Sequence, residues 1–113
     1  MGGPDPELGA TIIIEQDGRI ILPEKVMKEC VIQTPGCELW FNKKISALGI
    51  KLLRGDNDPP YPVRRLAVEG GGERGEIEAG PFFAKIGFSF DGQAQDFSYR
   101  YYRQEHFIEV RLG

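Results

Sequence analysis

Residues 11–24 read Thr11-Ile12-Ile13-Ile14-Glu15-Gln16-Asp17-Gly18-Arg19-Ile20-Ile21-Leu22-Pro23-Glu24, and this stretch decides the fold. Thr11 to Glu15 is β-branched enough for a strand. Asp17-Gly18 is a turn pair that tolerates positive φ, so the chain reverses and Arg19 to Leu22 returns as a second strand. Pro23 fits the first turn of a helix, where its missing N–H costs nothing, and Glu24 suits the positive end of the helix dipole.

Downstream, Val26 and Cys30 are four apart and give a short helix one apolar stripe. Pro35-Gly36 marks a turn. Glu38 to Lys43 alternates Leu39 and Phe41 with polar neighbours, although Trp40 breaks strict alternation. Ile45 to Leu53 offers a further strand, with Ile50 and Leu52 on one side. Residues 11–53 therefore read as a ββαββ unit. Arg54 to Pro62, with Gly55, Asp56, Asn57, Asp58 and three prolines, reads as a connector that continues neither a helix nor a central strand.

Beyond the connector the same order recurs. Arg65 to Glu69 and Glu76 to Ala79 read as strands, Pro81 to Ile86 as a short helix, and Gln95 to Gln104 and Phe107 to Leu112 as strands. Gly18, Ile20 and Lys28 match Gly75, Ile77 and Lys85 at an offset of 57. Upstream the offset is 54, setting Ile12, Ile14 and Glu15 against Leu66, Val68 and Glu69; the longer turn Gly70-Gly71-Gly72 absorbs the difference. Downstream it is 58, pairing Leu39 with Phe97, Phe41 with Tyr99 and Ile50 with Ile108. A unit of about 45 residues is too small to bury a stable core alone, so the two halves are expected to share one. Six of the seven phenylalanines follow residue 80, so the second half is expected to fill more of that core.

The chain's 113 residues, 41% hydrophobic and 27% charged, suit one globular domain. Residues 1–10 read as a mobile tail, 11–53 as repeat 1, 54–63 as linker and 64–113 as repeat 2. No apolar run approaches the roughly 18 residues that span a bilayer, and no charged-then-apolar leader opens the chain. A cytoplasmic location without a membrane partner is the expectation. Cys30 and Cys37 form no CxxC pair, so reduced thiols are expected rather than a disulfide.

The segment Gly18-Arg19-Ile20-Ile21-Leu22-Pro23, followed by Glu24 to Val31, Gly36-Cys37-Glu38-Leu39 and Ile45 to Leu53, resembles the AbrB/SpoVT/MazE family of swapped-hairpin DNA-binding domains. The resemblance covers residues 11–53, and the second half keeps only the pattern. It implies a mostly β fold: a swapped-hairpin β-barrel formed by two tandem ββαββ halves, with two short helices. It also implies a DNA-binding transcriptional regulator that grips phosphates with basic side chains. Position by position, Arg19 matches the arginine of the Gly-Arg motif and Lys28 a basic helix position, while Met27 stands where some members carry arginine. Lys25 would contact phosphates with Arg19 and Lys28, and Lys43, Lys44 and, from the second repeat, Lys85 would assist. Glu76 stands in the second repeat where Arg19 stands in the first. Two copies in one chain resemble the tandem arrangement of MraZ proteins, although their Asp-x-x-x-Arg signature is absent.

Charge pulls the other way. The net charge is −3, whereas nucleic-acid binders usually carry a basic surplus. Repeat 1 holds six bases against five acids. DNA binding, if present, is therefore expected to be weak and salt-dependent. The alternative is a non-enzymatic module that contacts protein or a small ligand, released from DNA binding and dimerisation by duplication. A monomer or weak homodimer follows from either reading.

The remaining motifs have plainer explanations. Gly70 to Gly75 spells GxGxxG, but a strand follows where the nucleotide fingerprint needs a helix. Arg54-Gly55-Asp56 is a chance tripeptide among turn formers. His106 is the sole histidine, so no zinc site, other metal or cofactor is expected. Ser46, Ser89 and Ser98 occupy no nucleophile elbow, and Glu76 and Glu78 read as a solvated strand face, so no catalysis is expected. Arg100, Tyr102 and Arg103 offer an arginine–aromatic surface, or else an edge strand with Tyr99 and Tyr101 inward and charges outward.

Overall fold

A computed structural model of the chain describes residues 11–30, 34–54, 58–88 and 94–112. The tail at residues 1–10 lies outside the described residues. The elements run β1 (Ile12–Ile14), β2 (Arg19–Leu22), α1 (Glu24–Cys30), β3 (Gly36–Asn42), β4 (Ala47–Leu53), β5 (Tyr61–Pro62), β6 (Arg64–Ala67), β7 (Glu73–Glu78), α2 (Gly80–Ile86), β8 (Gln95–Phe97), β9 (Tyr99–Tyr102) and β10 (Phe107–Arg111).

These strands form two antiparallel sheets, ordered β6-β7-β2-β1-β8 and β5-β3-β4-β10-β9. Each sheet draws its centre from both halves. In the first, β2 pairs β7 with Ile20 opposite Ile77; in the second, β4 pairs β10 with Ile50 opposite Ile108. The repeat also matches the members of both pairs in sequence. All four side chains are fully buried, alongside Ile12, Ile14, Leu22, Leu48 and Val110. The halves share one core because neither sheet is complete without both.

The hairpin turns repeat in detail. Gly18 N–H donates to the Glu15 carbonyl at 2.8 Å and Glu15 N–H to the Arg19 carbonyl at 2.9 Å. In the second half Gly71 N–H donates to Val68 at 3.1 Å and Val68 N–H to Gly72 at 3.2 Å. The structural counterpart of Gly18 is thus Gly71, with φ of 91° and 96° respectively, while Gly75 lies within β7 opposite Leu22. Each turn rests on the helix of the other half: a Cβ on Gly18 would lie 2.5 Å from Gly80 Cα, and one on Gly72 would strike the Glu24 carboxylate.

The two sheets are not closed into a barrel. At one edge the chain leaves the second sheet at β5 and enters the first at β6, turning at Val63; at the other it passes from β8 to β9 through Ser98. A bent strand carries the chain across each corner without a ladder bonding one sheet to the other, as in packed sheets whose strands switch layers. The expected continuous strand Gln95 to Gln104 is accordingly two strands. The connector also contributes a strand: Tyr61–Pro62 pairs with Gly36 and Cys37, and Pro62 is tolerated because β5 lies at a sheet edge. Among the described residues no helix is long and apolar enough to cross a membrane.

Cys30 and Cys37 are buried free thiols. Burial, reinforced by neighbouring Glu29 and Glu38 respectively, pushes each thiol up to about 12. Since the thiolate is the nucleophile, both should react with a thiol reagent at pH 8 on the order of 100-fold more slowly in the native chain than in urea. Rapid stoichiometric labelling of the native protein would show that the core opens.

Candidate interaction surfaces

Arg19, the centre of the expected DNA contact, lies on β2 within a ring of acids. Its guanidinium reaches Glu15 at 2.8 Å, Asp17 at 3.0 Å and Glu76 at 3.6 Å. The Asp17 carboxyl also accepts the Arg19 backbone N–H at 3.1 Å. That backbone bond, with help from the side chain, holds Asp17 below its ordinary range, and the Asp17 bond in turn raises Arg19. Three carboxylates therefore compete with any phosphate for this one cation.

Glu76 is no solvated strand residue. It is 4% exposed and accepts from the Arg74 guanidinium at 3.1 Å besides meeting Arg19. The contact follows from the register: Arg19 stands opposite Glu78, so Glu76 is its diagonal neighbour, within reach of a long side chain. The sequence repeat sets Glu76 against Arg19, whereas the turn hydrogen bonds make Gly72 the counterpart of Arg19 in the second hairpin.

The other expected contacts are dispersed. Lys25 and Lys28 lie on α1, where Lys25 meets Glu29 at 3.8 Å and Lys28 meets Glu24 at 3.2 Å. Lys43 and Lys44 sit in the β3–β4 turn, and Lys85 on the last turn of α2. The six candidates thus belong to four elements. Lys43 and Lys44 are adjacent, whereas Arg19 and the two α1 lysines, which come from successive elements, all share their charge with carboxylates.

A different feature stands out on the outer face of the second sheet. Leu39, Leu48, Ile50, Ile108 and Val110 point into the core, so Trp40, Gly49, Phe107 and Tyr102 point out. Trp40 lies opposite Gly49, and Phe107 opposite both Lys51 and Tyr102. A Cβ on Gly49 would collide with the Phe107 ring, so the glycine lets that ring lie across β4. Tyr102 and Phe107 have centroids 6.3 Å apart. These side chains, with Ile45 and Ala47, line an open groove of 970 Å³. No family model, curated protein or solved structure matches this chain.

The groove's rim is polar. The Tyr102 hydroxyl donates to Glu109 at 3.1 Å, Arg111 meets Glu109 at 3.5 Å, and Lys51 Nζ donates to the Glu105 carbonyl at 3.0 Å. Lys43 and Lys44 stand at one end. Trp40 was legible in the sequence as a break in alternation, but it is not one: the strand alternates strictly, and the tryptophan is simply outside, 59% exposed. Tyr99 and Tyr101 pack on the core and β9 forms the sheet edge, as the edge-strand reading expects.

Proposed function

We propose that the chain is a non-enzymatic interaction module whose outer sheet face receives a protein segment carrying an apolar anchor beside carboxylates. The observation that carries this reading is Trp40, exposed beside Phe107 and Tyr102 in a groove of 970 Å³. Exposed apolar patches of this kind mark interaction sites, and buried tryptophan and tyrosine anchors dominate interface energies. Lys43 and Lys44 suit acidic residues of the partner. Lys51 with those two is matched in the lining by Glu38, Glu105 and Glu109, a balance that favours a polypeptide over a phosphate chain. The alternative, a DNA-binding regulator using Arg19, Lys25 and Lys28, requires each to abandon a carboxylate. We also read the interleaving of halves as an AbrB-like swapped-hairpin arrangement completed within one chain, which lets the module act as a monomer.

Trp40 is the sole tryptophan, so its fluorescence reports the groove directly. In a panel of synthetic peptides, those with an aliphatic or aromatic anchor flanked by Asp or Glu should bind and shift its emission. Trp40→Ala should weaken the best peptide by roughly 10- to 100-fold, the scale of an interface anchor, while stability moves within about 0.5 kcal/mol. Binding of duplex DNA at low ionic strength, lost on Arg19→Ala, together with indifference to every peptide, would replace this reading by the regulator.

A further inference from the structure

A second concavity, of 600 Å³, opens between the end of α1 and the β9–β10 turn and shares no lining residue with the aromatic groove. Lys28, Arg54, Arg103 and His106 line it, with Glu29 as the single carboxylate among the described residues and the Tyr101 ring in the lining. We propose that this cavity binds a small phosphorylated molecule, its phosphate held between Arg54 and Arg103 with Lys28 and His106 at the margin.

Charge is the first support. In a chain of net charge −3, four basic side chains converge on one hollow. Glu29 turns part of its charge toward Lys25, at 3.8 Å. Among the described residues no carboxylate forms an ion pair with Arg54, Arg103 or His106. Lys28 bonds Glu24 only through an exposed i,i+4 bridge at 3.2 Å, which contributes a few tenths of a kcal/mol and leaves the ammonium free to re-aim. The planar guanidinium fork matches phosphate oxygens bidentately, so two arginines suit a phosphate better than a carboxylate ligand.

Fixed geometry is the second. Arg103 and His106 begin and end the β9–β10 turn, where His106 N–H donates to the Arg103 carbonyl at 3.2 Å. The His106 carbonyl accepts Leu52 N–H at 2.8 Å, tying the turn to the end of β4, from which Arg54 emerges. His106 has φ of 53°, a conformation that seldom suits a non-glycine residue. The fold itself explains that backbone, because Ser46 occupies the counterpart turn with φ of 51° and accepts Leu112 N–H at 2.8 Å. On that common frame the first hairpin carries Phe41, Lys43 and Ser46 where the second carries Tyr101, Arg103 and His106. The turn is general to both halves; the concentration of arginine and histidine belongs to one.

Concavity favours a small molecule over a nucleic-acid backbone. The volume falls within the range of small-ligand sites, and the cations converge on a hollow instead of running along a stripe. The test is calorimetric titration of the full chain at low ionic strength with inorganic pyrophosphate, ADP and adenosine. Pyrophosphate and ADP should bind at one site and raise the melting temperature, whereas adenosine should not. Arg54→Gln and Arg103→Gln, both exposed positions that should fold normally by circular dichroism, should each weaken ADP about tenfold, as loss of one charged hydrogen bond implies. Trp40→Ala should leave ADP binding unchanged, which separates this site from the groove. Absence of saturable pyrophosphate and ADP binding, or binding indifferent to both arginine variants, overturns the proposal. So does a single-stranded oligonucleotide that binds more tightly than ADP through the same two arginines.

Discussion

Gly18→Ala is expected to lower the melting temperature by on the order of 15 °C, from about 3 kcal/mol of lost stability at several degrees per kcal/mol. Two costs combine. Gly18 sits at φ of +91°, where an L-residue is strained by about 1–2 kcal/mol. Its new Cβ would also lie 2.5 Å from Gly80 Cα and 2.9 Å from Gly80 N, and backbone atoms cannot rotate aside as a side chain would. Overpacking of this kind costs a further 1–3 kcal/mol or so. Gly70→Ala supplies the control, since Gly70 has φ of +89° but nothing within 4 Å of its Cβ position. It should show the strain without the collision. Equal melting temperatures for the two variants would mean that the β1–β2 turn does not rest on α2.

Local chemistry made much of this fold legible. Asp17-Gly18 forces a reversal whatever surrounds it, and Pro23 and Pro81 both stand at helix starts, before α1 and within the first turn of α2. The repeat was legible because both halves bury the same alternation. The exact correspondence was not. The turns set Ser46 against His106, an offset of 60, whereas pattern matching gave 58 for Ile50 and Ile108. A slip of two residues returns every side chain to the same face, so periodicity alone cannot detect it. The corner at Ser98 and the edge strand at Tyr61 were hidden for another reason: each depends on which neighbour the strand meets, a fact of tertiary pairing. Of the candidate site, the residue types were visible and their neighbours were not. Arg19 in sequence is a lone cation of a motif; in space it has three acids. Trp40 looked like a flaw in a strand and is, among the described residues, the most exposed large apolar side chain.

Cutting the chain between Arg54 and Pro62 should leave two fragments that stay associated, and neither should fold alone. Isolated, residues 11–53 would expose Ile20 and Ile50, and residues 64–113 would expose Ile77 and Ile108, all four fully buried in the intact protein. Uncovering one such isoleucine costs roughly 1.5–3 kcal/mol, and each fragment uncovers two while losing a sheet partner. Two copies of the same fragment cannot substitute well for one of each. Arg19 belongs to the first half and Glu76, 4% exposed, to the second, and the two meet at 3.6 Å. Only the mixed pair makes that contact, and a buried carboxylate deprived of its cation is costly, which favours one fragment of each kind. Separately produced fragments should thus show little structure by circular dichroism at low micromolar concentration and regain it on equimolar mixing. Glu76→Arg in the second fragment should abolish that recovery. A fragment that unfolds cooperatively as a monomer, or a first-half homodimer that outcompetes the mixture, would show that the two halves do not complete each other.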